Sequence, residues 1–206
     1  MSILQASYYL NKDVVFRAKD IIGKYLYTCI DGKTVTGGII IETEAYEGVT
    51  DKASHAYNNR RTKRTEVMFG IGGLAYVYLC YGMHSLFNIV TNQKDIPHAI
   101  LIRAIYPTDG LNIMQQRANK PKITKEFANG PGKVAKILGI TTTHSGIELF
   151  KDTIWIEDKG IELNKNEIIS TTRIGVDYAM EDAQLPYRFI IDYYVVEKLM
   201  KNKLEL

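Results

Sequence analysis

The chain has 206 residues, 46% hydrophobic and 24% charged, which excludes disordered and collagen-like classes and suits one large domain over the whole of 1–206. Its 26 lysines and arginines stand against 23 acids, a net charge of +3 that is too slight for a histone-like protein, so where the cations fall matters more than their sum. Cys29 and Cys80 are too few for a disulfide framework or a four-thiolate zinc site, and no apolar run reaches the roughly 18–20 residues of a membrane span. No charged leader precedes an apolar run at the N-terminus, so a soluble cytoplasmic protein is expected.

Taken in order, Asp13 to Lys24 reads as a helix. Val14, Val15, Ala18, Ile21 and Ile22 form one stripe, Asp13 suits the N-cap and Gly23 the C-terminal cap. Tyr25 to Ile30 is a strand, Asp31-Gly32-Lys33 a hairpin turn and Thr34 to Tyr46 its long partner. Glu47 to Thr65 is a charged loop with room for one short helix, of a length that is usually either functional or disordered. Leu74 to Tyr81 and Leu86 to Thr91 form a second hairpin, and Ala99 to Tyr106 is an apolar strand interrupted by Arg103. Asp109 is expected to cap a helix running to about Ala118, and Gly130-Pro131-Gly132-Lys133 starts another that Gly139 ends. Short strands follow at Thr153 to Glu157, Thr171 to Val176 and Pro186 to Ile191, and the tail from Asp192 to Lys203 fits a helix or an irregular arm equally. The pattern describes one α+β domain on a curved, mostly antiparallel sheet with flanking helices.

Chemistry concentrates between Gly37 and Val90. Alternation along the long strand puts Ile40, Glu42, Glu44 and Tyr46 on one face and Ile39, Ile41, Thr43 and Ala45 on the other. A solvated acidic face would account for the two carboxylates. A carboxylate beside Tyr46 and His55 could instead deprotonate a water, and two carboxylates together suggest a glycoside-type cleavage. A metal site from Glu42, Glu44 and His55 lacks a recognised ligand spacing, so neither metal nor cofactor is expected. Tyr76 and Tyr78 share a face, as core residues or as pocket walls. Tyr81, beside the Gly82 turn, is apolar area that a nucleic-acid base stack would shelter. Four of the five residues from Arg60 to Arg64 are cationic, either a solvated loop or a surface that follows phosphates. Gly130 to Lys133 lacks phosphate-loop spacing, because Val134 stands where a magnesium-binding hydroxyl would be. The chain offers no Ser-His-Asp or Cys-His arrangement.

Ile41-Glu42-Thr43-Glu44-Ala45-Tyr46, His55, Met68-Phe69, Tyr76-Val77-Tyr78, Tyr81-Gly82-Met83 and Asn88 together resemble the alkyladenine (3-methyladenine) DNA glycosylase family. Leu101 to Ala104, Gly130 to Lys133, Arg173 to Val176 and Pro186 to Phe189 continue the resemblance in the same order, from about Asn11 to Ile191. It implies a single α+β domain whose protruding β-hairpin enters the minor groove of damaged double-stranded DNA. It implies Glu44 as the general base for the attacking water, with Arg103 and the backbone carbonyl of Ile174 helping to hold that water. Tyr46 and Tyr78 would sandwich the flipped base, His55 would pack and hydrogen-bond it, and Tyr81 would fill the vacated stack. Asn88 would exclude bases bearing a guanine-type amino group, while Arg60, Thr62, Met83, His84 and Lys133 fall at expected DNA contacts. After Phe189 the chain departs from the family, with Asp192-Tyr193-Tyr194-Val195-Val196-Glu197 in place of a glycine- or asparagine-bearing loop.

The implied activity is monofunctional removal of alkylated or deaminated purines by a monomer. The lesion range (3-methyladenine, 7-methylguanine, hypoxanthine, ethenoadenine) is open. A non-catalytic nucleic-acid-binding module would use the same basic loop and aromatic hairpin. A hydrolase of free nucleosides would need neither.

Overall fold

The computed structural model describes residues 2–204. Nine strands join in one antiparallel sheet: β1 (Ser2–Ile3), β2 (Tyr25–Thr28), β3 (Thr36–Tyr46), β4 (Ala75–Cys80), β5 (His84–Thr91), β6 (His98–Asp109), β7 (Ile154–Asp158), β8 (Ile169–Thr171) and β9 (Arg188–Ile190). The main path runs β1-β7-β2-β3-β6-β5-β4. Along one edge β3 pairs first with β2 and then, from Glu42 to Glu44, with β9; along the other it pairs with β6.

Where β3 changes partners its register with β6 slips twice, between Ile40 and Glu42 and between Glu42 and Thr43. Bulges of this kind bend a strand and re-aim its side chains. Strict alternation therefore stops at the slip: Ile39, Ile40 and Ile41 all enter the main core, and Glu42 and Glu44 are buried beyond it. Glycines let β3 lie close to its neighbours, since a Cβ on Gly38 would meet the Tyr106 carbonyl oxygen at 2.5 Å.

Among the described residues, four α-helices pack on the sheet: α1 (Val14–Asp20), α2 (Leu111–Ala118), α3 (Pro131–Leu138) and α4 (Tyr193–Leu204). Asp13 caps α1 by accepting from the Phe16 amide at 2.8 Å. Pro131 opens α3 and Gly139, in the left-handed region, ends it. The α3 residues Val134, Ala135, Ile137 and Leu138 are buried, and the helix packs on β5 and β6. The tail is helical from Tyr193, and Val196 reaches the main core.

Three expectations are corrected. Gly23 does not cap α1, which ends at Asp20 with Ile21 at the capping position. Asp109 does not cap α2; it ends β6 and accepts from the Tyr27 and Thr108 hydroxyls. The capping position is Gly110 at φ 68°, where a Cβ would lie 2.4 Å from the Val35 carbonyl oxygen. Nor is Thr171 to Val176 a strand: β8 stops at Thr171, and the backbone turns away so that residues 173–176 meet the C-terminal end of β3. Among the described residues, no helix is long and apolar enough to cross a membrane.

Candidate active site

The outer half of the sheet holds a cavity of about 430 Å³. Its walls come from the end of β3 (Tyr46), the loop after it (His55, Arg64), the β4–β5 hairpin (Tyr76, Tyr78, Asn88), β6 (Leu101, Arg103) and the segment Ile174 to Tyr178. Two small apolar clusters back it. Met68, Phe69, Tyr76, Val90 and Ala99 lie behind Tyr78, and Ala53, Val176, Ala179 and Ala183 lie behind Tyr46.

Glu44 has no exposed surface and lies one layer beneath the cavity, behind three of its lining residues. Its Oε1 accepts from the Ile174 backbone N–H at 2.8 Å and faces Arg103 Nη1 at 3.4 Å. Its Oε2 accepts from the Tyr46 hydroxyl at 2.8 Å. An ionised carboxylate offers about four acceptor positions, so one on Oε2 stays uncommitted. It is the Ile174 amide, not its carbonyl, that touches Glu44. Burial, and then the charge of Glu44, push the Tyr46 phenol well above its ordinary range, so Tyr46 is a fixed neutral donor.

Glu42 differs from Glu44 in its partners. Its Oε1 accepts from Arg103 Nε at 2.9 Å and Arg188 Nε at 2.6 Å. Two guanidinium groups converge on this one oxygen and balance the charge of Glu42, which argues against Glu42 and Glu44 as a working acid pair. Arg103 bridges both carboxylates. Burial works against its charge, but Glu44 and Glu42 outweigh that and hold it above the ordinary value.

On the hairpin side, the Tyr76 and Tyr78 rings lie 5.4 Å apart, and the His55 ring meets Tyr78 edge-on at 4.6 Å. Arg64 Nη2 approaches His55 Nε2 at 3.1 Å. A guanidinium only donates, so Nε2 accepts and the proton sits on Nδ1, 2.9 Å from the Tyr76 hydroxyl. Burial, then the charges of Arg64 and Arg60, lower the His55 pKa to about 4. The histidine is a neutral wall. Asn88 Nδ2 donates to the carbonyls of Tyr76 (3.1 Å) and Leu86 (3.3 Å), which fixes its amide in one orientation. Among the described residues, no three His, Cys, Asp or Glu side chains gather in a group that could hold a metal ion.

At the cavity lip the hairpin turns through Tyr81 (φ 52°) and Gly82 (φ 71°). Two successive positive φ values match the twist of a hairpin, but a tyrosine there is costly, by about 1–2 kcal/mol. Tyr81 is 90% exposed, and Met83 and Leu79 are also exposed, so the tip is an apolar prong. His84 and Lys133 lie apart from the cavity, in an adjoining groove with Lys120 and Lys136; Lys133 Nζ donates to the Glu126 carbonyl at 2.9 Å. Arg60 and Thr62 are exposed on the loop and line neither hollow.

Sequence reasoning overlooked several parts of this site. Arg64 was one cation in a basic run, and nothing in its spacing shows that it turns inward. Arg188 and the Arg173–Asp51 ion pair come together only through long-range contacts. Tyr76 was paired with Tyr78 by strand periodicity, but its bond to His55 had no local signal.

Comparison with known proteins gives one answer. Residues 8–194 match the methylpurine-DNA glycosylase family. A Chlamydia felis protein named "Putative 3-methyladenine DNA glycosylase" is 49% identical over 96% of this chain and 100% of its own length. Proteins of the same name are 48% identical in Chlamydia abortus, over 92% of this chain and 98% of theirs, and 45% identical in Bacillus thuringiensis, over 93% and 95%. The cavity, its buried carboxylate and the apolar hairpin thus belong to a chain that is a member of the methylpurine-DNA glycosylase family.

Proposed function

We propose that this protein binds duplex DNA containing damaged purines, flips the damaged nucleotide into the cavity and hydrolyses its N-glycosidic bond, with Glu44 as general base. The names of the relatives point to 3-methyladenine as a substrate. The observation that carries the reading is the placement of Glu44 under a cavity walled by Tyr46, His55, Tyr78 and Asn88, with Tyr81 exposed at its lip.

Extruding a base costs a few kcal/mol, least for a damaged pair. Tyr81 in the vacated stack offsets part of that cost, and stacking between Tyr46 and Tyr78 returns about 1–3 kcal/mol. An alkylated purine is cationic, so it is drawn to electron-rich rings and leaves readily. The step requires a water to reach the free position on Glu44 Oε2, past the lining residues that cover it; that water gives up its proton to the carboxylate as its oxygen bonds to the anomeric carbon. The carbon–nitrogen bond breaks, and its electron pair leaves with the base. Arg103 balances the charge on Glu44 and, with the Ile174 amide, fixes where the carboxylate points. No lysine lines the cavity, so no side-chain amine is placed to form a Schiff base, and the product is an intact strand with an abasic site.

The test is incubation with short duplexes that each carry one lesion (3-methyladenine, 7-methylguanine, hypoxanthine or ethenoadenine), followed by alkaline cleavage. Release of free base with alkali-dependent strand breaks is expected for at least one. Duplex binding without any base release would leave the non-catalytic binding module as the answer.

A further inference from the structure

One cavity residue has no part in the chemistry above. Arg64 rises from the exposed loop and turns back into the base cavity, where its guanidinium lies 4.7 Å from the Tyr78 ring centroid and 3.1 Å from His55 Nε2. Both contacts fall on side chains, Tyr78 and His55, that are proposed above to wall the flipped base. Its neighbour Arg61 is held outside by two acids, Glu66 and Asp95. Among the described residues, no carboxylate pairs with Arg64. It is held by a neutral imidazole and an aromatic face, so its departure leaves no buried charge unpaired.

We propose that Arg64 is a displaceable occupant of the base cavity that ranks lesions by charge. This rests on the glycosylase reading and deepens it. Between encounters the guanidinium fills the stacking position on Tyr78 and caps His55. A flipped base must move it aside, and that cost falls on every lesion alike. A second cost falls only on cationic bases, because a positive ring on Tyr78 sits beside a guanidinium of like sign. The residue that prefills the cavity with a cation thus works against the cationic lesions that the aromatic walls attract, and narrows the gap between them and neutral ones.

The test compares Arg64→Ala and Arg64→Lys in a Glu44→Gln background, so that binding is read at equilibrium. Three duplexes are used: one with 3-methyladenine (cationic), one with hypoxanthine (neutral) and one undamaged. Arg64→Ala should tighten binding to both lesions, by roughly three- to tenfold for the cationic one and less for the neutral one, and leave the undamaged duplex unchanged. Arg64→Lys, which keeps the charge but loses the planar stack, should gain less for the cationic lesion than Arg64→Ala. An equal loss on all three duplexes, with a shallower salt dependence, would make Arg64 a phosphate contact and overturn the proposal. An unchanged ratio of lesion to undamaged binding would overturn it as well. If the parent protein with Arg64 shows no preference for a lesion, the glycosylase reading fails first and takes this proposal with it.

Discussion

Tyr46 and His55 show how single residues are fixed for one task. Tyr46 can only donate to Glu44, because its phenol is held neutral by burial and by that carboxylate. Tyr46→Phe should cut single-turnover base release by about 10-fold or more and, because it leaves the buried Glu44 carboxylate one hydrogen bond short, should also cost about 1–3 kcal/mol in urea unfolding. His55 carries a stability signature. Its pKa falls from about 6.5 to about 4 on folding, so between those values the unfolded chain binds a proton that the folded one refuses. Its contribution is present above pH 6.5 and is lost as pH drops towards 4. Urea midpoints at pH 7 and pH 5 check this: the drop should be smaller in His55→Phe than in the parent. The Asp51–Arg173 pair is the most deeply buried ion pair among the described residues. Arg173 also donates to the carbonyls of Ala45 and Asp182, and its side chain and that of Asp51 are 0% and 1% exposed. Arg173→Met leaves Asp51 buried without its cation and should cost about 3–5 kcal/mol in urea unfolding.

At the scale of elements, the second hairpin, α1 and α3 were legible because their signals are local: alternation, Asp13 before α1, a proline at the start of α3 and Gly139 at its end; the tail helix α4 carried no such signal. The site was legible only in part. Glu44, Tyr46 and Tyr78 were visible because acids and aromatics at strand spacing are conspicuous. That Glu42 is neutralised, however, depends on a register slip in β3 and on Arg188, 146 residues away. The Asp109 cap failed because any acid before an apolar helix looks like a cap, whereas the tight approach of Val35 requires Gly110. The rim segment Asp177–Gln184 carries its own strain, since Met180 takes φ 54°, ψ −124°, a region that favours glycine, while being 71% exposed. Met180→Gly relieves the strain and gives back part of the gain as unfolded-chain entropy. A net stabilisation of about 1 kcal/mol, seen as a rise of roughly 2–4 °C in melting temperature, is expected.

Across the whole molecule, polar chemistry and apolar packing occupy different parts of one sheet. Leu26, Ile39, Ile40, Phe87, Ile100 and Ile102 belong to a core shared with α1 and α3. The cavity opens at the C-terminal end of β3, just beyond its pairing with β9, backed by two small clusters of its own. This division keeps the cavity-lining residues out of the main core. It also places the exposed Tyr81 on a two-stranded projection held at its base by the β5–β6 ladder. The central claim is that Glu44 deprotonates the water while the cavity walls hold the base. Its most direct test is Glu44→Gln under single-turnover conditions, with duplex affinity measured on the same preparation. The account predicts loss of base release by about 10²-fold or more with lesion-duplex affinity within a few-fold of the parent. Base release at the parental rate by Glu44→Gln would contradict it.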